Sequence, residues 1–275
     1  MEPLIMYGQP VADKIYKEVE TNVQHWLNEH GVSPRLAIIS AGDDKASQIY
    51  MKNKITAAEK CGIEVINKHY DCDTNYGKIV TDLVLLNHRT DGIIVQLPLP
   101  DKFPQETILN TIAYNRDVDC LNEESTGAFY KGRNWANPCT PQAVLDILKF
   151  YNIPIAGKNV VVIGRSQLVG RPVAELMLRE NATVTICHSQ TTSLGLYTRT
   201  ADIIICAAGI PKLITADMVK EGVVIVDVSI NRANGKLCGD VDFDNVAPKC
   251  AAITPVPKGV GPVTVAELMR NVSCY

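Results

Sequence analysis

The chain has 275 residues, 46% of them apolar and 21% charged, with a formal charge of −3. That length buries a core large enough for two ordinary domains, no run approaches the ~18 apolar residues of a membrane helix, and the balance lacks the basic face a nucleic-acid partner requires. Nine cysteines, an odd number with no C-x-x-C pair, indicate neither a disulfide framework nor a zinc ribbon and read as reduced thiols of a cytoplasmic protein.

The opening Met1-Glu2-Pro3-Leu4-Ile5-Met6-Tyr7-Gly8 has no basic start and too short an apolar part for a signal peptide. From Pro10 to Glu29, Val11, Ile15, Val19, Val23, Trp26 and Leu27 recur at three- and four-residue intervals, which predicts an amphipathic helix stopped by Gly31. Arg35 to Ala41 predicts a strand, the turn Gly42-Asp43-Asp44 follows, and a helix is expected from Ala46 to Lys60, ended by Gly62. Ile63 to Tyr70 reads as the next strand and Tyr76 to Asn87 as the next helix. In Asp91-Gly92-Ile93-Ile94-Val95-Gln96-Leu97-Pro98-Leu99-Pro100 four apolar residues form a short core strand, and the prolines force the chain out of it.

Beyond Pro141 a helix runs to about Asn152, and the domain boundary is placed just before it, giving 1–138 plus 262–275 and 139–261. Asn159 to Ile163 is apolar and β-branched, as suits a strand buried on both faces. Gly164 ends it, and Gly170 opens a helix with Val169, Val173, Leu176 and Met177 at helical spacing. Backbone N–H groups at such a start receive a phosphate, although two glycines this far apart are not the G-x-G-x-x-G fingerprint and suit a plain packing turn as well. Further strands are expected at Ala182–Cys187, Asp202–Ala207, Val223–Val228 and Ile253–Pro257, and a closing helix at Pro262–Val272. Alternating strands and helices predict a parallel α/β protein whose ligands lie beyond the C-terminal strand ends.

Three features sit at those ends. Tyr50 and Lys54, four apart, share one helix face and are either a solvated pair or a pair aimed at a ligand. Gln96 leaves a buried strand and faces either solvent or a cleft. The strand Ala182–Cys187 ends in His188-Ser189 rather than in the acidic residue that holds a ribose diol, so no carboxylate there repels a 2′-phosphate. His188 itself reads as a capping or packing residue, and the scattered His and Cys residues suggest no metal.

The ordered series Ser47-Gln48-Ile49-Tyr50 with Lys54, Val95-Gln96-Leu97-Pro98-Leu99-Pro100, Asp117-Val118-Asp119 and Pro138-Cys139-Thr140-Pro141 resembles the bifunctional methylenetetrahydrofolate dehydrogenase/methenyltetrahydrofolate cyclohydrolase (FolD) family. So do Gly164-Arg165-Ser166, Val169-Gly170-Arg171-Pro172, His188-Ser189-Gln190-Thr191, Asp227-Val228, Gly239-Asp240-Val241, Ile253-Thr254-Pro255-Val256-Pro257 and Gly259-Val260-Gly261-Pro262. The resemblance implies oxidation of methylene-tetrahydrofolate with NADP, then hydration of the methenyl cation to 10-formyl-tetrahydrofolate, within one-carbon metabolism and purine biosynthesis. It implies Lys54 as the catalytic lysine, Gln96 as the residue that orients it, Tyr50 bordering the folate and Asp119 receiving donors from the pterin edge. Leu97, Pro98, Pro257, Gly261 and Pro262 are further expected substrate neighbours. On the NADP side it implies Gly164, Arg165, Ser166, Val169, Gly170, Ser189, Gly209, Ile210 and Ile230, with Arg165 and Ser189 on the 2′-phosphate. It also implies a Rossmann-like second domain, a closing helix that returns to the first, and a homodimer through the second domain.

The chain departs from the family pattern after Asp119, where Cys120-Leu121-Asn122-Glu123 stands for Gly-Phe-His-Pro, and three departures fall where the family has glycine: Cys120, Ser229 after Asp227-Val228, and Lys258 after Pro257. A positive φ at Cys120 would strain it. Lys258 either assists binding of the folate tail or cofactor phosphates, or faces solvent. Two other readings accompany this one: another two-domain dehydrogenase of the shikimate dehydrogenase type, and a ligand-binding protein that has lost its chemistry, against which the intact Lys54 and Gln96 argue.

Overall fold

The computed structural model describes every residue except Met1, Asp44, Asn234 and Tyr275, and only the backbone of Lys45, Ala46 and Ser47. Asp44 of the expected turn and the Ser47 side chain thus lie outside the described residues. In chain order the elements are β1 (Leu4–Ile5), α1 (Gly8–His30), β2 (Arg35–Ala41), α2 (Lys45–Lys60), β3 (Glu64–Tyr70), α3 (Tyr76–Asn87), β4 (Gly92–Val95), α4 (Gln105–Asn110), α5 (Glu123–Tyr130), α6 (Cys139–Phe150), β5 (Asn159–Ile163), α7 (Gly170–Arg179), β6 (Thr183–Cys187), α8 (Gly195–Thr198), β7 (Ile203–Cys206), β8 (Val223–Asp227), β9 (Asn231–Ala233), β10 (Lys236–Cys238), α9 (Phe243–Val246), β11 (Cys250–Ile253) and α10 (Val260–Ser273). They fall into two compact units, Met1–Asp13 with Thr140–Thr264, and Lys14–Cys139 with Val265–Tyr275.

The second of these units holds a parallel sheet in the order β3-β2-β4. β2 is central, so Leu36 to Ser40 are buried whichever way they point, and Leu36 to Ile39 are apolar without alternation. Ile79, Leu83 and Leu86 recur at helical spacing on α3 and pack with Ala37, Ile39, Ile93 and Val95. An isolated parallel bridge between Ile93 and Asp117 brings the turn after Asp117 alongside β4. The closing helix secures that turn, since Asn271 donates through Nδ2 to the carbonyls of Val118 and Asn137, each at 2.9 Å.

The other unit is a parallel sheet in the order β1-β11-β8-β7-β5-β6. The chain runs outward from β5 to β6 and then returns to β7 on the far side of β5. The exits of β5 and β7 therefore flank the topological switch point, where open α/β sheets bind their ligands.

Two expectations need correction. No strand spans Ile253 to Pro257: β11 ends at Ile253 because Pro255 and Pro257 have no N–H to continue the ladder, and it starts earlier, at Cys250. Helix α6 begins at Cys139, ahead of Pro141, because a proline in the first helical turn forfeits only an N–H that has no helical partner.

Candidate active site

Lys54 and Tyr50 stand one turn apart on α2, Lys54 half-buried and Tyr50 37% exposed. They are not a free surface pair. Lys54 Nζ donates to Gln96 Oε1 at 3.0 Å, and Gln96 Nε2 donates to the Leu97 carbonyl at 2.8 Å, which turns the amide oxygen toward the lysine. The backbone N–H of Gln96 still donates to Ile39 O at 2.7 Å, so its backbone stays in the β2–β4 ladder while its side chain leaves it. Leu97 is half-buried and Pro98 exposed just beyond.

Asp119 reaches the same neighbourhood through the Ile93–Asp117 bridge. Its carboxylate hydrogen-bonds the buried Cys139 thiol, which also lies 3.4 Å from the Val118 carbonyl. Burial raises the Cys139 thiol well above its ordinary pKa, the Asp119 charge adds to this, and the Lys54 ammonium opposes it. The thiol thus stays protonated and acts as a donor to Asp119. Sequence reasoning placed Cys139 in a motif but not in the site, because nothing local reveals that the start of α6 packs under Asp119.

Asp117 organises the turn. Its Oδ2 accepts from the amides of Leu121 and Asn122 at 2.8 and 2.9 Å, and Cys120 between them has φ +57°. Lys258 has φ +84°. Two of the three glycine replacements therefore occupy the left-handed region, which costs an ordinary residue roughly 1–2 kcal/mol. Lys258 is exposed, so Lys258→Gly loses no burial. It is expected to stabilise the chain by up to ~1 kcal/mol after the entropy cost of glycine, raising Tm by about 2–4 °C in a thermal melt. Cys120→Gly relieves the same strain but gives up a buried side chain, about 1 kcal/mol, and is expected to leave Tm nearly unchanged.

The dinucleotide-binding candidates surround the switch point. Gly164 has φ +127°, and a Cβ there would collide with the Ala207 carbonyl at the exit of β7. A Cβ on Gly170 would meet the Gly164 carbonyl carbon at 2.5 Å, so helix α7 starts directly against the end of β5. The Ser166 hydroxyl accepts from the amides of Val169 and Gly170 at 3.1 and 3.4 Å and shapes the intervening turn. Arg165 and Ser189 are exposed at the ends of β5 and β6. His188 caps its own turn, its Nδ1 accepting from the Gln190 amide at 3.2 Å. Gly209 is exposed, and Ile210 and Ile230, 49% and 43% exposed, offer apolar surface at the exits of β7 and β8. Gly261 lies against Ile230, its ideal Cβ position 4.0 Å from Ile230 Cδ1, so Pro257, Gly261 and Pro262 belong to the unit with the dinucleotide candidates rather than the one with Lys54. A bare glycine turn, a cationic and a hydroxyl side chain, and apolar strand exits fit a dinucleotide carrying a 2′-phosphate.

Two buried carboxylates titrate unusually. Burial pushes Asp227 up to about 7 against the amides of Val241 and Asp240 that donate to it, and burial pushes Asp117 up to about 6 against the amides of Asn122 and Leu121. Both hold a proton more tightly folded than unfolded, where an aspartate titrates near ~3.9, so their stabilising effect is complete below that value and is lost as pH rises through 6 to 7. Urea unfolding is expected to show higher stability at pH 5.5 than at pH 8, on the order of 1–2 kcal/mol. Aspartates whose carboxyls lie below the ordinary range, such as Asp82 hydrogen-bonded by Tyr70, stay ionised across that window and do not mask the trend.

Together the two parallel sheets, the glycine turn and the lysine–amide pair define a two-domain, dinucleotide-dependent α/β enzyme. The family model described as the tetrahydrofolate dehydrogenase/cyclohydrolase catalytic domain matches residues 6–119, and that of the NAD(P)-binding domain matches residues 138–275. The chain belongs to the tetrahydrofolate dehydrogenase/cyclohydrolase family. The bifunctional protein FolD of Campylobacter hominis is 46% identical over 96% of this chain and 94% of its own. The crystal structure of the bifunctional enzyme FolD from Campylobacter jejuni matches with a TM-score of 0.94 and 44% identity over 98% of this chain and 96% of that one. The Trypanosoma brucei methylenetetrahydrofolate dehydrogenase-cyclohydrolase, solved with NADP cofactor and an inhibitor, has a TM-score of 0.94 and 35% identity over 99% of this chain and 96% of that one.

Proposed function

We propose that this chain oxidises 5,10-methylene-tetrahydrofolate with NADP and hydrolyses the methenyl product to 10-formyl-tetrahydrofolate. The observation that carries the reading is the 3.0 Å bond from Lys54 to a Gln96 amide locked in orientation by the Leu97 carbonyl, in a chain of this family.

NADP supplies the hydride acceptor for the first reaction. Nitrogen lone pairs on the substrate stabilise the cation as hydride leaves, so the protein's task is to hold the bridge carbon in place rather than to move protons. Tyr50 borders the folate, and Asp119 accepts from the N–H donors of the pterin, a charge-assisted contact. Cys139 keeps that carboxylate aimed. In the second reaction water adds to the methenyl carbon and a proton must be carried between water and the departing nitrogen. Lys54 does this, with Gln96 holding its Nζ in place. Leu97 and Pro98 shape the folate surroundings. Gly164, Ser166, Val169 and Gly170 form the pyrophosphate turn, Arg165 and Ser189 take the 2′-phosphate, and Gly209, Ile210 and Ile230 face the ribose and nicotinamide.

The functional division is 1–138 with 262–275 for folate and 139–261 for dinucleotide, with the opening strand β1 contributed to the dinucleotide sheet. A cytoplasmic setting suits nine free cysteines, and the 10-formyl product would serve purine biosynthesis. Among the described residues no helix is long and apolar enough to cross a membrane. A homodimer is supported by the edge strand β6, where Ile186 is 40% exposed, and by Leu178 and Leu196, 59% and 65% exposed on α7 and α8.

The test is a paired assay of the purified chain, following NADP or NAD reduction with methylene-tetrahydrofolate and, separately, decay of methenyl-tetrahydrofolate. Both activities are expected, with NADP preferred. Failure to reduce either dinucleotide would sink the dehydrogenase half of the reading.

A further inference from the structure

The loops leaving β7 and β8 meet on one fully buried carboxylate. Asp240 Oδ2 accepts from the amides of Ala208 at 2.7 Å and Gly209 at 3.1 Å, and Oδ1 accepts from the amide of Ile210 at 2.8 Å. Ser229 Oγ donates to Oδ2 at 2.7 Å and Asn231 Nδ2 donates to Oδ1 at 2.9 Å. These five donors fill the roughly four lone-pair directions a carboxylate offers. Asp240 is itself held from behind, because its own amide and that of Val241 donate to Asp227 at 3.2 and 2.9 Å.

Ser229 has a double part in this. Besides donating to Asp240, its hydroxyl oxygen accepts from the Gly209 amide at 3.1 Å, so that one N–H is shared between the serine and the carboxylate. Three successive amides turned inward onto a protein carboxylate are not available to a ligand anion. What Ala208 to Ile210 present outward is shape, with open space above Gly209 and an exposed Ile210 beside it. The position of that surface depends on how firmly the amides are held. A residue without a hydroxyl at 229 leaves Gly209 with a single acceptor.

We propose that Ser229 is a positioning residue for the dinucleotide: its hydroxyl locks Gly209 against Asp240 and thereby sets the affinity for NADP. The proposal rests on the dehydrogenase reading above and concerns a position where this chain departs from the family's glycine. Its effect falls on dinucleotide binding and not on methenyl hydrolysis, whose proton carrier is in the other unit.

The experiment compares wild type, Ser229→Ala and Ser229→Thr in two measurements. In the ligand-free chain, amide hydrogen exchange over 208–210 is expected to quicken about three- to tenfold in Ser229→Ala, the range of one net hydrogen bond, with β5 and β8 unchanged. In titrations with NADPH followed by its fluorescence, the Kd is expected to rise by a similar three- to tenfold factor while kcat for methenyl hydrolysis stays constant. Ser229→Thr, which keeps the hydroxyl, should restore both. Unchanged exchange at 208–210, or quickened exchange with an unchanged Kd, would overturn the proposal. Absence of NADPH binding in wild type would count against the dehydrogenase reading instead, and the ligand-free exchange measurement reads the lock independently of it.

Discussion

Lys54→Ala is expected to slow methenyl-tetrahydrofolate hydrolysis by about 10²–10⁴-fold, the usual contribution of a positioned acid–base group. NADP reduction with methylene-tetrahydrofolate should change by less than roughly tenfold, since that step gains from orientation more than from proton transfer. The split follows from geometry. Lys54 Nζ is fixed by Gln96 Oε1, and the Gln96 amide is fixed in turn by the Leu97 carbonyl, an arrangement that directs a proton carrier and contributes little to hydride transfer. Losing one such hydrogen bond costs about 1 kcal/mol of stability, so the variant should remain folded and the two rates can be compared in one preparation. Hydrolysis persisting within tenfold of wild type would remove Lys54 from the role.

Gly170→Ala is expected to have the opposite selectivity and a large structural cost. The added Cβ would stand 2.5 Å from the Gly164 carbonyl carbon and 2.9 Å from the Arg165 amide nitrogen, both backbone atoms at the end of β5. No flexible side chain can move aside, so β5 and α7 must separate, at a cost of about 3 kcal/mol or more. A Tm lower by ~6 °C or more is expected, together with an NADPH Kd raised at least tenfold. Methenyl hydrolysis, whose proton carrier Lys54 lies in the other unit, should survive below the new melting temperature. An unchanged Tm and Kd would mean that the turn does not bind the pyrophosphate in this form.

The elements most legible in the sequence are those whose burial is dictated locally. β2, α3 and β5 fall at their expected bounds, because a central parallel strand is apolar throughout and a helix with a clear apolar face ends at a recognisable stop. β1 was not legible, since two residues carry no periodicity and Leu4–Ile5 is a strand only through pairing with Ala252 and Ile253. Helix α5 was missed although a signal existed: Asn122 caps it, accepting from the Ser125 amide at 2.6 Å. Within the site, the shared face of Tyr50 and Lys54 could be read from spacing, whereas the meeting of Lys54 with Gln96 required the β2–β4 pairing. Cys139 under Asp119 and Ser229 on Gly209 are contacts between distant loops, and a single sequence does not display them.

The pairing of β1 with β11 also bears on biosynthesis. Leu4 finds its neighbour only when Ala252 has emerged, and at about 5–20 residues per second that delay is roughly 12–50 s. The Lys14–Cys139 unit likewise receives the C-terminal part of α10 last, so Asn271 cannot tie down Val118 and Asn137 until residue 271 has itself emerged. The six-stranded sheet therefore cannot be complete before Ile253 is available, whereas the cluster of Ala37, Ile39, Ile79, Leu83, Ile93 and Ile108 against one face of β2 and β4 can form as soon as Leu121 is.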